Sequence, residues 1–265
     1  MMRRPFASLP PLRASLPPVQ GLLPLLALLV VWELLQSGPS PFFPAPSQWW
    51  SAGLRLIERA DLLGAFAATA LTFFEGLLLA IPIGAALGIL IGVSRLAARA
   101  LSPLLEFMRA IPPPATVPVF ALLVGYNEAM KLTVVTLAAL WPILLNTTSA
   151  ARGIDPLLLD VARSFRLTAW DRVRRIVAPA IVPALLLGIR VALPLAIVVA
   201  LLVEMLTSLP GIGAMMMRAQ RNFQSAEVYA LLVFVGLFGF MVNNAFAVIE
   251  AFIMRQWPPR TASAS

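Results

Sequence analysis

Residues 65–93 hold one ionisable side chain, Glu75, in a run of Leu, Ala, Ile, Gly and Phe. A helix needs roughly 18–20 apolar residues to cross the hydrocarbon of a bilayer, and this run exceeds that length. Comparable runs occupy residues 21–38, 101–124, 129–146, 180–206 and 227–254. Inside hydrocarbon the backbone N–H and C=O groups must find partners within the segment, so such runs fold as helices. The expected fold is therefore all-α: a polytopic membrane protein with about six transmembrane helices.

Charge supports this and narrows the function. Only 12% of the 265 residues are charged, about half the fraction usual in a soluble domain. The net charge of +8 would suit a nucleic-acid partner if it formed a patch. Instead 13 of the 20 Lys and Arg fall in the two ends, the turn at residues 94–100 and the loop at 150–178. That is the positive-inside pattern of a membrane protein. It places both termini and the loop in the cytoplasm, and no nucleic acid is expected. With no Cys and no His, thiol catalysis, disulfides, the usual zinc sites and histidine proton relays are excluded. No GxxxxGK[ST] phosphate loop occurs either, so no cofactor is expected in this chain.

The chain divides at its composition shifts. Residues 1–20 form a basic, Pro-rich cytoplasmic tail. Residues 21–60 supply the first span, an external Pro/Ser linker and an amphipathic segment at 47–60 whose Trp49 and Trp50 suit a lipid-water boundary or a structural strap. A signal peptide is the rival for 21–38, but five further spans and the lack of a clear small-residue cleavage site favour an uncleaved helix. Residues 61–256 form the core, with a charged loop at 150–179, and 257–265 are a cytoplasmic tail. In the second span Gly76, Ala80, Gly84, Gly88 and Gly92 recur every four residues, a face that lets helices approach closely. The third span is interrupted by Pro112, Pro113, Pro114 and Pro118. A break there is tolerated against protein or a water-lined cavity, so Pro112 and Pro114 are candidates for a pathway wall or gate.

The longest charged segment is GIDPLLLDVARSFRLTAWDRVRRIVAP, residues 153–179, with five Arg and three Asp between two apolar spans. Asp155 before Pro156 reads as an N-cap with proline in the first helical position. Thr168 with Asp171 has the form of a capping box that opens a second helix. Leu157, Leu158, Val161, Ala162 and Phe165 fall on one broad face of the first helix. A helix pair with an apolar ridge and a basic flank suits docking in a partner's groove.

This segment resembles the EAA loop of bacterial ABC-importer permeases: Glu-Ala-Ala, three residues, Gly, nine residues, then Ile-x-Leu-Pro. Asp160, Val161 and Ala162 take the triplet, Arg166 the Gly place, and Ile176, Ala178 and Pro179 the close, with no insertion. Asp160, Val161, Arg166 and Ala178 depart from the pattern. FMRAIPPPATVPVFALLVGYNEAMK, LWPILLNTTSAARGID and VEMLTSLPGIG are similar, in order and separation, to the nitrate, sulfonate, taurine and pyrimidine-precursor branch of those permeases. The likeness extends over roughly residues 20–256.

The resemblance implies a permease subunit of the bacterial cytoplasmic (inner) membrane, with two copies, most simply a homodimer, forming the path for a small anionic or polar solute. It also implies a cytoplasmic ATPase dimer that holds the ATP and Mg²⁺, and a periplasmic or lipid-anchored binding protein that delivers the solute. Asp160, Ala162, Phe165, Arg166, Ile176 and Pro179 would belong to the ATPase-coupling element. The alternative is an ion-gradient-driven secondary transporter, which the broken third span would suit but which has no use for a doubly capped helix pair. A membrane hydrolase would need a Ser-Lys or paired-carboxylate site, and the single Lys, Lys131, has no neighbouring Ser.

Ionisable groups at membrane depth point to function by default. Glu106 and Arg109 stand one turn apart and are placed to satisfy each other. Arg190 and Glu204 are pathway candidates, each with a structural reading as half of an ion pair that holds the bundle.

Overall fold

The computed structural model describes residues 22–36, 42–58 and 61–255. The expected tails at 1–20 and 257–265 lie outside the described residues. The chain runs through α1 (Leu22–Leu35), α2 (Pro46–Glu58), α3 (Asp61–Val93) and α4 (Arg95–Ala110), a 3₁₀ turn (Pro113–Thr116) and α5 (Val117–Val124). It continues through α6 (Glu128–Arg152), α7 (Pro156–Ser164), α8 (Ala169–Arg172), a π turn (Val173–Val177), α9 (Ala178–Thr207), α10 (Ile212–Arg221) and α11 (Ser225–Met254).

Four of these are long and apolar enough to cross a membrane: α3, α6, the continuous run Ala169–Thr207 and α11. The α4–α5 pair, bent by 90°, makes a fifth if counted as one span. The expected first span corresponds to α1, whose 14 residues reach roughly 21 Å at 1.5 Å per residue, short of the ~30 Å hydrocarbon core. The rest of that expected span, residue 21 and residues 37–38, lies outside the described residues.

The α4–α5 bend follows from proline. Pro113 and Pro114 open the 3₁₀ turn and Pro118 lies in the first turn of α5, where a missing N–H is tolerated. Thr116 Oγ1 donates to the Pro113 carbonyl at 2.6 Å, so one freed acceptor is satisfied locally.

At the centre α6 is gripped between α3 and α9. A Cβ built on Gly88 would lie 2.6 Å from Thr147 Cβ, one on Gly92 2.5 Å from Ala151 Cβ, and one on Gly188 of α9 2.9 Å from Ile143 Cα. The small-residue face of α3 is thus an intrasubunit seam. Phe73, Val134, Ala138, Ile143, Ala196 and Val203 fill the core around it.

The amphipathic α2 is a strap. Ala52 and Leu56 pack with Leu62, Ile212, Met215 and Leu231. Trp49 stacks on Tyr229 of α11 at 4.9 Å and meets the edge of Trp32 of α1 at 5.0 Å. Glu33 accepts from the Ser47 backbone N–H at 3.0 Å and from its hydroxyl at 2.8 Å.

Candidate coupling loop and translocation site

The loop between α6 and α9 is built by its caps. Asp155 Oδ1 accepts from Leu157 N at 2.9 Å, which starts α7. Thr168 Oγ1 accepts from Asp171 N at 3.1 Å and donates to Asp171 Oδ2 at 2.6 Å, which starts α8. Between them Leu167 N donates to the Ala162 carbonyl at 3.0 Å, the 6→1 bond of a Schellman turn, and Arg166 occupies its left-handed position at φ 51°. Glycine is favoured there, and an L side chain costs about 1–2 kcal/mol.

The segment has an inner and an outer face. Ala162 and Val177 are buried, and Val177 packs with Ala151, Ile154 and Ile181, flanked by Ile89 and Ile176. That cluster welds the loop to α3, α6 and α9. Leu157, Leu158, Val161, Phe165 and Trp170 stand exposed, as do Asp160 and Arg166, and Pro179 is half-buried. The sequence reading put Ala162 on the exposed ridge. It faces inward instead, because the ridge is narrower than the apolar stripe. Next to the π turn, Arg172 Nε is buried without a partner.

At the far end of α9, roughly 39 Å from Ala178 by helical rise, Glu204 is fully buried. Its carboxylate accepts from Gly213 N at 2.9 Å and from the Thr69 hydroxyl at 3.0 Å, and lies 3.6 Å from Lys131 Nζ. Lys131, itself fully buried, also donates to the Pro210 carbonyl at 3.0 Å and pairs with Glu128 at 2.7 Å. Thr69 Oγ1 accepts from Ile212 N at 2.9 Å. Gly211, at φ 155°, leaves room for the carboxylate: a Cβ there would lie 2.1 Å from Glu204 Cδ. This knot ties α3, α6, α9 and the 209–213 turn together. Sequence reasoning flagged Glu204 but passed over Lys131: the i,i+3 spacing to Glu128 is local, whereas Glu204 is too distant in the chain for any spacing rule to pair it with Lys131.

Arg190 and Glu250 of α11 approach to 2.6 Å, with side chains 48% and 21% exposed. The contact is one of charge rather than an aligned N–H···O bond. Glu106 and Arg109, by contrast, form no ion pair with each other among the described residues. Pro112 is exposed and Pro114 half-buried at the α4–α5 bend.

The sequence pattern of the family described as "Binding-protein-dependent transport system inner membrane component" matches residues 80–255. The chain belongs to that family. It is a permease subunit of an ABC importer, of the nitrate and sulfonate branch. NrtB of Leptolyngbya laminosa, a nitrate import permease, is 30% identical to this permease, with 82% of this chain and 80% of that protein covered. CmpB of Synechococcus elongatus, a bicarbonate transport permease, is 27% identical over 88% of this chain and 90% of its own. SsuC of Bacillus subtilis, named for aliphatic sulfonates transport, is 27% identical over 92% of this chain and 90% of its own. In structure the permease is similar to the inward-facing MetNI methionine ABC transporter, with a TM-score of 0.64 over 74% of this chain and 97% of that one. At 19% identity that likeness concerns the fold. Membership makes the permease an inner-membrane component, and implies an ATPase and a substrate-binding protein as partners.

Proposed function

We propose that the permease works as a pair of identical copies around a shared path, that residues 153–179 seat it in clefts of an ATPase dimer, and that the cargo is a small anionic or polar solute. The observation that carries the coupling is the ridge of α7. Leu157, Leu158, Val161 and Phe165 are 66, 45, 44 and 76% exposed on a segment with five Arg. A contiguous exposed apolar surface marks an interaction site, and a short amphipathic helix answers to a partner's groove.

In this reading Phe165 is the apolar knob, Asp160 and Arg166 meet the rim of the cleft, and Ala162, Ile176 and Pro179 fix the ridge to the bundle. ATP and Mg²⁺ are held by the partner, and this chain supplies no cofactor site. The distribution of Lys and Arg supports a cytoplasmic loop and cytoplasmic termini, with the knot at the outer end where a periplasmic or lipid-anchored binding protein delivers. The core of 61–256 is then the transport unit, 21–60 an anchor and strap, and 1–20 and 257–265 tails. The names of the relatives, nitrate, bicarbonate and sulfonates, support a small anionic cargo. Arg190 supports a wet or protein-covered face: an arginine half-exposed at membrane depth does not face lipid. Pro112 and Pro114, at the α4–α5 bend, are the other candidates for the wall of the path.

Copurification tests the reading. Phe165→Asp and Arg166→Glu are each expected to strip the ATPase from the permease while it still elutes as a folded membrane protein. Unchanged copurification in both would overturn the docking assignment.

A further inference from the structure

We propose that a chamber between α4 and the loop end of α6 binds a single oxyanion group. The chamber has a volume of about 380 Å³ and takes Ser102, Glu106 and Arg109 from α4 and Thr148, Ser149 and Arg152 from α6. That volume is at the small end of the range for ligand sites, roughly 300–1000 Å³.

Two guanidinium groups and three hydroxyls face one carboxylate, a donor-rich lining with one net positive charge. Arg109 and Glu106 leave each other unpaired despite their one-turn spacing. Arg152 commits one nitrogen to the Ala98 carbonyl at 3.2 Å, which keeps the rest of its five-donor fork available. Thr148 is 4% exposed and its Oγ1 has no partner. A buried hydroxyl left in that state is destabilising. The chamber shares Ser102 and Arg152 with an open cleft of about 1120 Å³ that Arg99 also lines. An anion therefore has an open approach from the loop side, through a cleft whose Arg99 and Arg152 are balanced by Asp155 and Asp160. Glu106 keeps the affinity modest, as release requires.

Two sources present this chemistry: a free oxyanion such as the released cargo, and the phosphate of an anionic lipid. Basic pockets between transmembrane helices on the cytoplasmic side accept lipid headgroups. The assignment to the cytoplasmic side rests on the orientation proposed above; the binding itself does not.

The full-length permease, with whatever ATPase it retains, is placed in nanodiscs of phosphatidylcholine and titrated with radiolabelled sulfate and inorganic phosphate. A parallel preparation containing phosphatidylglycerol is read by native mass spectrometry for retained lipid. Arg109→Gln is expected to weaken the anion about tenfold or more, by loss of one charge-assisted bond, and Thr148→Val to weaken it less. Arg109→Lys retains part of the affinity, and Glu106→Gln tightens binding several-fold. Saturable sulfate or phosphate binding with that variant pattern supports the site with a free oxyanion as ligand. Retained phosphatidylglycerol lost in the same variants supports it with a lipid. Absence of both, or indifference to all four substitutions, overturns it. A complex that hydrolyses ATP yet binds neither probe sinks the site and leaves the coupling reading standing. A permease that binds the anion but never retains an ATPase does the reverse.

Discussion

Replacing Lys131 with Met should be among the most damaging single changes outside the coupling loop. Met keeps the unbranched shape and removes the ammonium. Glu204 is then a fully buried carboxylate left with neutral donors: Gly213 N at 2.9 Å and the Thr69 hydroxyl at 3.0 Å. Breaking one side of a buried pair costs about 3–5 kcal/mol, because the surviving charge is stranded. Glu204→Gln is milder, since Lys131 retains Glu128 at 2.7 Å and the Pro210 carbonyl at 3.0 Å; about 1–2 kcal/mol is expected for the weakened bonds. The double variant removes both charges together, so its loss should fall short of the sum by roughly 1–3 kcal/mol. Thermal unfolding of the four proteins in one detergent, followed by the loss of the monodisperse peak, measures the cycle. Lys131→Met with parental stability, or a double variant that is simply additive, would refute the knot as a coupled unit.

Further substitutions probe other parts of the structure. Gly88→Val places a side chain 3.0 Å from the Leu144 carbonyl as well as against Thr147; since backbone cannot give way, at least about 1–3 kcal/mol of stability should be lost. Gly64→Ala, with nothing within 4 Å, is the control that should unfold with the parent. Arg166→Gly relieves the left-handed side chain and should raise the unfolding midpoint by up to the equivalent of about 1 kcal/mol; a lower midpoint would contradict the Schellman geometry. Arg190→Gln strands Glu250, and Arg190→Gln with Glu250→Gln should recover assembly if the pair only holds α9 to α11. Recovered assembly without recovered transport would place Arg190 on the path.

Much of this was legible in the sequence because it is local or periodic. The caps at Asp155 and Thr168 and the α3 face of Gly84, Gly88 and Gly92 depend on neighbours within a turn or two, and a pattern can carry that. The break at Pro112–114 is legible for the same reason. What pattern cannot carry is which side of a stripe the tertiary fold covers: Ala162 lies in the apolar stripe of α7, yet it is buried while Val161 beside it is exposed. Pairing across the chain is equally hidden. Glu106 and Arg109 have the right spacing and no bond, while Lys131 and Glu204 have no spacing signal and share a buried knot.

The strap offers a test of which parts of the permease stay fixed during transport. Trp49 stacked on Tyr229 and edge-on to Trp32, together with Glu33 bonded twice to Ser47, joins α1, α2 and α11 by contacts that would all have to break for α2 to leave. Aromatic pairs add about 0.5–1.5 kcal/mol each beyond their burial, so two ring contacts with the hydrogen bonds make detachment in each cycle costly. Gly53 of α2 supplies the probe: a Cβ built there lies 3.8 Å from Ala230 Cβ of α11, which matches the mean Cβ separation of a disulfide, about 3.8 Å. The chain has no Cys of its own, so Gly53→Cys with Ala230→Cys introduces a single unambiguous crosslink. It should form under mild oxidation and leave solute uptake by the assembled importer within about twofold of the reduced protein, a difference of under ~0.5 kcal/mol. If the crosslink forms in full and uptake stops until a reductant is added, α2 moves against α11 in the cycle and the strap is a working part rather than a brace.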